Sequence, residues 1–255
     1  MKKIFAVLFS VLLLSHSANE QMLQAIVSNR SDAYSATLPV YSQAVINTWE
    51  LNTGGTCPGG GTTCSVTFTA AASDLFLINC GAVYPVVALN NLNASTSPSV
   101  TVHNGTFIES GTGAGTNSLQ LNWAIAAGAG SYTVTCTANT AISYPVTIVY
   151  DYSGGSGATL NTSATSTTAT GLAIKVSPFT TTGPAIVLYC MAVGGSTTPS
   201  LGTIGGGPAA HLTVETSGFS ACEDRSVTSA ISAGSAILNV SPTQTSGAAY
   251  VLAVQ

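Results

Sequence analysis

The chain has 255 residues, of which only 5% are charged and 45% hydrophobic, with a formal charge of −4. Ordinary soluble domains carry about 25% charged residues; here the balance is Thr, Ser, Gly, Ala and Asn, which fits a compact β-protein with a surface of hydroxyls and amides. So much Val, Ile, Leu and aromatic material excludes a disordered chain, and five Lys/Arg are too few to neutralise the phosphates of a nucleic-acid partner.

In chain order, the first segment is "MKKIFAVLFSVLLLSHSA". Lys2 and Lys3, an apolar run from Ile4 to Leu14 and small residues up to Ala18 predict a secretory signal peptide over residues 1–18, too short to span a membrane. Its removal would leave three Lys/Arg against nine Asp/Glu, a charge of −6. No later stretch reaches about 18 apolar residues, so no transmembrane segment is expected, and the protein reads as secreted, extracellular or on the cell surface. "QAIVS" and "TLPVYSQAVI" are strand-like pieces ahead of the first clear repeat unit. Then come "CSVTFTA", "DLFLINCGAV", "SVTVHNGTFIE", "SLQLNWAIA", "SYTVTCTA" and "SYPVTIVYDY", short runs rich in Val, Ile, Thr and aromatics, separated by Gly, Ser, Asn or Pro. Helical periodicity is not sustained anywhere outside the signal.

Ile125–Val149, "IAAGAGSYTVTCTANTAISYPVTIV", aligns without a gap on Ile231–Gln255 at an offset of 106, with six of 25 positions identical. "LFLINCGAV" (Leu75–Val83) answers "AIVLYCMAV" (Ala185–Val193) at an offset of 110, and "TSPSVTV" answers "TTPSLGT". Agreement in order and spacing predicts an internal duplication. The expected fold is therefore all-β: two tandem β-sandwiches, immunoglobulin-like or jelly-roll. The first would cover 19–154 with its N-terminal extension, 155–162 would be a Ser/Gly-rich linker, and the second would cover 163–255.

The apolar strand "LFLINCGAV", the turn and strand around Gly128–Val134, and the terminal "PVTIVYDYSG" with Asp151–Gly154 together resemble a broad group of exported bacterial tandem β-sandwich surface repeats. The resemblance covers roughly Thr56 to Gln255. It implies an extracellular location and a sandwich fold, and it implies no mechanism.

Six cysteines in an exported chain favour disulfides over metal thiolates, and no CxxC supports a zinc site. The favoured pairing is Cys57 with Cys64 around "CPGGGTTC", Cys80 with Cys136, and Cys190 with Cys222. His103 and His211 are read as ordinary histidines, and no GxSxG elbow accompanies them. Glu223-Asp224-Arg225 is the one dense charge cluster and is expected in an exposed loop with a local ion pair. Among the aromatics Trp49, Trp123, Tyr144, Tyr150 and Tyr152, Trp123 alternates in phase with Leu119 and Leu121 and should pack in the core. Tyr150 and Tyr152 share a face and are the candidate ligand aromatics. Five Asn-x-Ser/Thr acceptors occur; Asn93, Asn104 and Asn161, in expected loops, are preferred as glycosylation sites over Asn29 and Asn239.

No catalytic, cofactor or metal residues are assigned, because too few titratable groups are present to form a site. The expected role is a non-enzymatic structural or adhesive protein, self-associating into a filament or surface layer. In that reading the last strand leaves an incomplete sheet edge, to which residues around 25–46 of a neighbouring subunit would add a strand. The alternative is a carbohydrate-binding module that recognises surface glycans.

Overall fold

A computed structural model describes residues 38–51, 55–85, 89–110, 116–166, 171–244 and 247–255. The expected signal peptide, the "QAIVS" run and Asn29 lie outside the described residues. Among the described residues every regular element is a strand and no helix is long and apolar enough to cross a membrane. Leu38–Gln255 forms one compact unit.

The first seven strands are β1 (Val40–Thr48), β2 (Gly61–Ala70), β3 (Leu75–Pro85), β4 (Leu92–Ser97), β5 (Val102–Ser110), β6 (Asn117–Ile125) and β7 (Gly130–Ser153). The second set is β8 (Leu160–Ser166), β9 (Gly171–Phe179), β10 (Ala185–Val193), β11 (Ser200–Ile204), β12 (Gly207–Pro208), β13 (His211–Val214), β14 (Ser220–Val227), β15 (Gly234–Gln244) and β16 (Gly247–Val254). All the pairings are antiparallel.

The six runs read from the sequence all fall in strands, but the last two are one. "SYTVTCTA" and "SYPVTIVYDY" join as the 24-residue β7, because the intervening "NTAI" has neither Gly nor Pro to turn the chain. The first half of β7 pairs with β2 and β4, and the second half pairs with β1 and β3. The strand thus passes from one layer into the next. β4, "LNASTS", carries only Leu92 and Ala94 into the core and escapes a pattern reading.

Four layers result, with an apolar cluster between each pair. Val66, Phe68 and Val134 of β2 and β7 meet Phe76 and Ile78 of β3 in the first cluster. Leu75, Leu77, Leu121, Trp123, Tyr150 and Tyr152 meet Ile186, Leu188, Tyr250 and Leu252 in the middle one. Val187, Tyr189 and Val251 meet Ile174, Val176 and Leu238 of β9 and β15 in the third. The pattern follows the period of two: in β2, Val66 and Phe68 point inward while Thr67 and Thr69 stay exposed. β10 and β16 are buried along their whole lengths, since both of their faces are covered.

The two middle sheets have the strand orders β1-β7-β3-β6-β5 and β8-β16-β10-β14-β13. Taken in order of appearance, each strand of the first sheet has a counterpart at the same place in the second. The register departs from both blocks of the sequence alignment: Leu77 takes the place of Leu188, an offset of 111 rather than 110, and Tyr150 that of Leu252, an offset of 102 rather than 106. Cys80 and Cys190, matched at an offset of 110, lie on opposite faces: Cys80 belongs to the first cluster and Cys190 to the middle one. An offset of one flips a strand's faces, so Leu77, not Ile78, is the structural counterpart of Leu188.

Two further expectations change. The segment 155–162 is not a free connection: Gly155 is buried so close to Leu75 that a Cβ there would lie 2.4 Å from the leucine Cβ, and Leu160–Thr162 already pair with β16. Nor is β16 a vacant edge, since β10 and β8 flank it on both sides. The residues offered as a donor strand, from Val40 onward, form β1 against their own chain's β7.

Candidate functional site

The middle cluster is built from matched rows of side chains. Across the first sheet one row reads Ala44, Tyr150, Leu77, Trp123, His103; across the second the same places hold Ser163, Leu252, Leu188, Asp224, His211. The two sheets face each other so that the His211 end of one row meets β1, while the His103 end of the other meets β8. Each end therefore presents a histidine to the other sheet, and the two ends are finished differently.

At the first end Tyr41 of β1 stacks on the half-exposed His211, ring centroids 3.6 Å apart and 12° from parallel. The His211 Nδ1–H donates to Asp224 Oδ1 at 2.8 Å, and the backbone N–H of His211 donates to the same oxygen at 3.0 Å. The Tyr152 hydroxyl donates to Asp224 Oδ2, and the Tyr150 hydroxyl donates to the Cys222 carbonyl at 2.7 Å. Burial, reinforced by the Asp224 charge, holds the Tyr152 phenol well above its ordinary range; burial does the same to Tyr150. Tyr150 and Tyr152 are thus fully buried and cannot serve as an exposed ligand platform, a correction to their assignment as candidate ligand aromatics. They do share a face, as alternation requires, but the second sheet covers that face.

The Glu223-Asp224-Arg225 cluster is also relocated. It lies in β14, with Glu223 and Asp224 buried, rather than in an exposed loop. Glu223 Oε2 accepts from the Gly202 N–H at 2.8 Å, while Oε1 is buried without a partner among the described residues. Burial, with Asp224 adding to it and the Gly202 hydrogen bond opposing it, pushes the Glu223 carboxyl up to about 7. Arg225 donates to the Ile204 carbonyl.

At the opposite end His103 is exposed and stacks on Trp123, centroids 4.0 Å apart and 12° from parallel. Trp123 itself packs with Leu119 and Leu121, as its phase predicts. In place of Tyr41 the second sheet supplies Leu160: Tyr41 is the register partner of Tyr152, and Leu160 that of Val254. Leu160 is 52% exposed. Between His103, Trp123, Leu160, Ser163, Tyr250 and Leu252 an open groove of about 520 Å³ remains. Its floor is fixed by the β5 bulge, where the Thr106 N–H donates to the Tyr250 hydroxyl at 2.9 Å. A Cβ on Gly105 would fall 2.2 Å from the Leu121 carbonyl oxygen, so this close approach requires glycine.

The preferred glycosylation acceptors lie in strands, not loops. Asn93 on β4 and Asn104 on β5 are exposed, and Asn104 Oδ1 accepts from the Ala94 N–H at 3.1 Å. Asn161 on β8 is half-buried; it donates to Gln255 Oε1 and accepts from the Thr182 N–H. All three favoured disulfides are present. Cys57–Cys64 closes the short Gly-rich loop, Cys80–Cys136 crosses from β3 to the first half of β7, and Cys190–Cys222 joins register partners on β10 and β14. Trp49 and Tyr144 form a T-shaped pair at 4.9 Å, and Tyr144 stacks on Phe219 at 5.4 Å.

One carboxyl pair escaped the sequence reading. Asp74 and Asp151 are both buried, and each has one oxygen without a hydrogen-bond partner among the described residues. The other oxygens accept from the Ala71 N–H and from Gln43 Nε2. Burial, with Asp74 adding to it and Gln43 opposing it, pushes Asp151 up to about 6. Seventy-seven positions separate the two acids, so nothing local in the sequence joins them.

No protein-family model matches the chain, and neither a curated protein nor a solved structure matches it.

Proposed function

We propose that this is a non-enzymatic extracellular structural or adhesive protein, assembled from two tandem β-sandwiches that arose by duplication. The matched strand orders and the matched rows with a histidine at each end support the duplication. Three disulfides are consistent with an oxidising, extracellular compartment, and with the signal-like N-terminus they support export of the kind seen in the exported bacterial surface repeats it resembles. The observation that carries the structural role is where the acids are. Asp74, Asp151, Glu215, Glu223 and Asp224 are all buried and hydrogen-bonded within the layers, so five of the nine acids of the chain lie inside the layers rather than in an accessible site.

The low surface charge permits close self-association. With β16 flanked on both sides, subunits would meet at sheet edges such as β5 or β9. Negative-stain microscopy of the purified secreted protein tests the reading: filaments or sheets are expected, and monodisperse particles at every concentration would overturn it. A carbohydrate-binding module is the second reading, favoured by the stacked His103–Trp123 pair beside an open groove. Saturable binding on a glycan array, lost in Trp123→Ala, would establish it.

A further inference from the structure

The two ends of the middle cluster occupy equivalent places in the matched rows, so one end can be read as a template for the other. At the closed end the edge strand β1 delivers the Tyr41 ring onto His211. Tyr41 also lies tilted against Tyr150 at 6.2 Å and edge-on to Tyr152 at 5.8 Å, so three phenol rings fill that end. At the open end the counterparts of those three tyrosines are Leu160, Leu252 and Val254. Each is smaller than a tyrosine, and the volume that the rings fill on one side is left as a groove of about 520 Å³ on the other.

The walls of that groove are finished for a ring. Trp123 stands where Asp224 stands at the closed end, and it backs His103 with a parallel stack, so the imidazole is held upright. Leu252 and Tyr250 are buried and form an apolar floor, while exposed Ser163 gives a hydroxyl at the rim. Planar rings packed against rings gain more than their buried area alone, and a shallow apolar pocket with one polar rim group accepts an amphipathic ring such as a phenol.

We infer that the groove between β5 and β8 is a binding site for a tyrosine side chain of a partner polypeptide, whose phenol ring packs against the His103–Trp123 stack as Tyr41 packs against His211. The partner is defined by that chemistry: an extended segment with a tyrosine flanked by small residues, like the β1 sequence Val40-Tyr41-Ser42 itself. The site exists in the single chain, so it stands whether or not the protein polymerises.

The test uses the full secreted protein, with the heptapeptide PVYSQAV (the sequence of residues 39–45) as probe and its tyrosine-to-leucine analogue as control. Binding is followed by calorimetry and by the ring-proton NMR signals of His103. The tyrosine peptide should saturate and shift His103. The leucine analogue should bind at least tenfold more weakly. Leu160→Tyr should supply the missing ring from within and abolish binding, and His103→Ala should weaken it at least tenfold. No saturation, equal affinity for both peptides, or unchanged binding in L160Y would each overturn the inference. Saturation of the His103 signals by cellohexaose but not by the peptide would overturn it in favour of a glycan site. If L160Y does not fold, H103A decides, because His103 is exposed and its loss leaves the core intact; an unchanged affinity there is a refutation.

Discussion

Replacing Leu188 by alanine tests whether the four layers are one cooperative body. Leu188 is fully buried at the centre of its row, in the middle cluster with Leu77, Trp123 and Tyr150 of the other half. Removing three buried carbons from so enclosed a site should cost about 2–5 kcal/mol, because the flanking disulfide Cys190–Cys222 and two hydrogen-bonded neighbours restrict collapse into the void. For a unit of this size each kcal/mol lowers Tm by roughly 2–4 °C, so a fall of roughly 4–20 °C is expected. The decisive reading is hydrogen exchange at two remote places: the amide of Val66 on β2 and that of Leu238 on β15, each in an outer cluster. If the middle cluster couples the halves, both amides lose the same free energy of protection and calorimetry shows a single transition. If the halves were independent domains joined by a linker, Leu238 would lose protection and Val66 would keep it. Two resolved transitions, or an unchanged Val66, would refute the reasoning.

Three further outcomes are expected. Asp151 is pushed up to about 6 from an ordinary 3.8, so folding takes up a proton between those values; stability is greatest below about pH 4 and declines as pH rises through 6. Asp151→Asn keeps the shape and adds a donor facing Asp74, so it should flatten that decline and raise stability at pH 8 by about 1–2 kcal/mol, read from urea midpoints across pH. Tyr152→Phe removes the hydroxyl donated to buried Asp224 and should cost about 1.5–3 kcal/mol by urea denaturation, with the fold retained; no loss would mean that the hydrogen bond is not made. Replacing Cys57 and Cys64 by serine, a separation of 7 residues, should cost about 2 kcal/mol, whereas replacing Cys80 and Cys136, 56 apart, should cost about 4 kcal/mol; comparable Tm losses for the two would contradict the loop-entropy account.

What was legible in the sequence was whatever a single strand decides for itself. Alternation places Trp123 with Leu119 and Leu121, and the Gly-rich "CPGGGTTC" loop brings Cys57 to Cys64. It puts Tyr150 and Tyr152 on one face, too, but a period of two cannot say whether that face meets water or another sheet. The covering surface comes from β13 and β14, about 60 to 75 residues later, and is specified by packing alone. The acidic run at Glu223 misleads for a related reason. Charge usually marks a loop, yet here Asp224 is buried in a strand and accepts hydrogen bonds from Tyr152 and His211, which lie on two other strands. The phase slip between Cys80 and Cys190 has a third cause. Both strands are apolar on two faces, so hydrophobicity carries no register, and the shared cysteine suggests an alignment that the faces reject.

The two ends of the middle cluster are unlike although the strand orders and side-chain rows of the two facing sheets match. Two identical subunits meeting face to face must form the same contacts twice, once at each end of the interface. Two matched sheets within one chain are free of that constraint, so each end can carry its own contacts. At the His211 end the contacts form a polar lock: Asp224 is satisfied only when Tyr152 of the facing sheet and His211 of the neighbouring strand are both in register. A slip of one residue would bury that carboxylate without donors, at a cost of several kcal/mol, whereas the surrounding leucines would tolerate it. The lock therefore supplies the register that two flat apolar faces lack. With register fixed at one end, the other need not be closed to hold the halves together. There Leu160, Leu252 and Val254 occupy the places of the tyrosines, Trp123 braces His103, and a groove lies open.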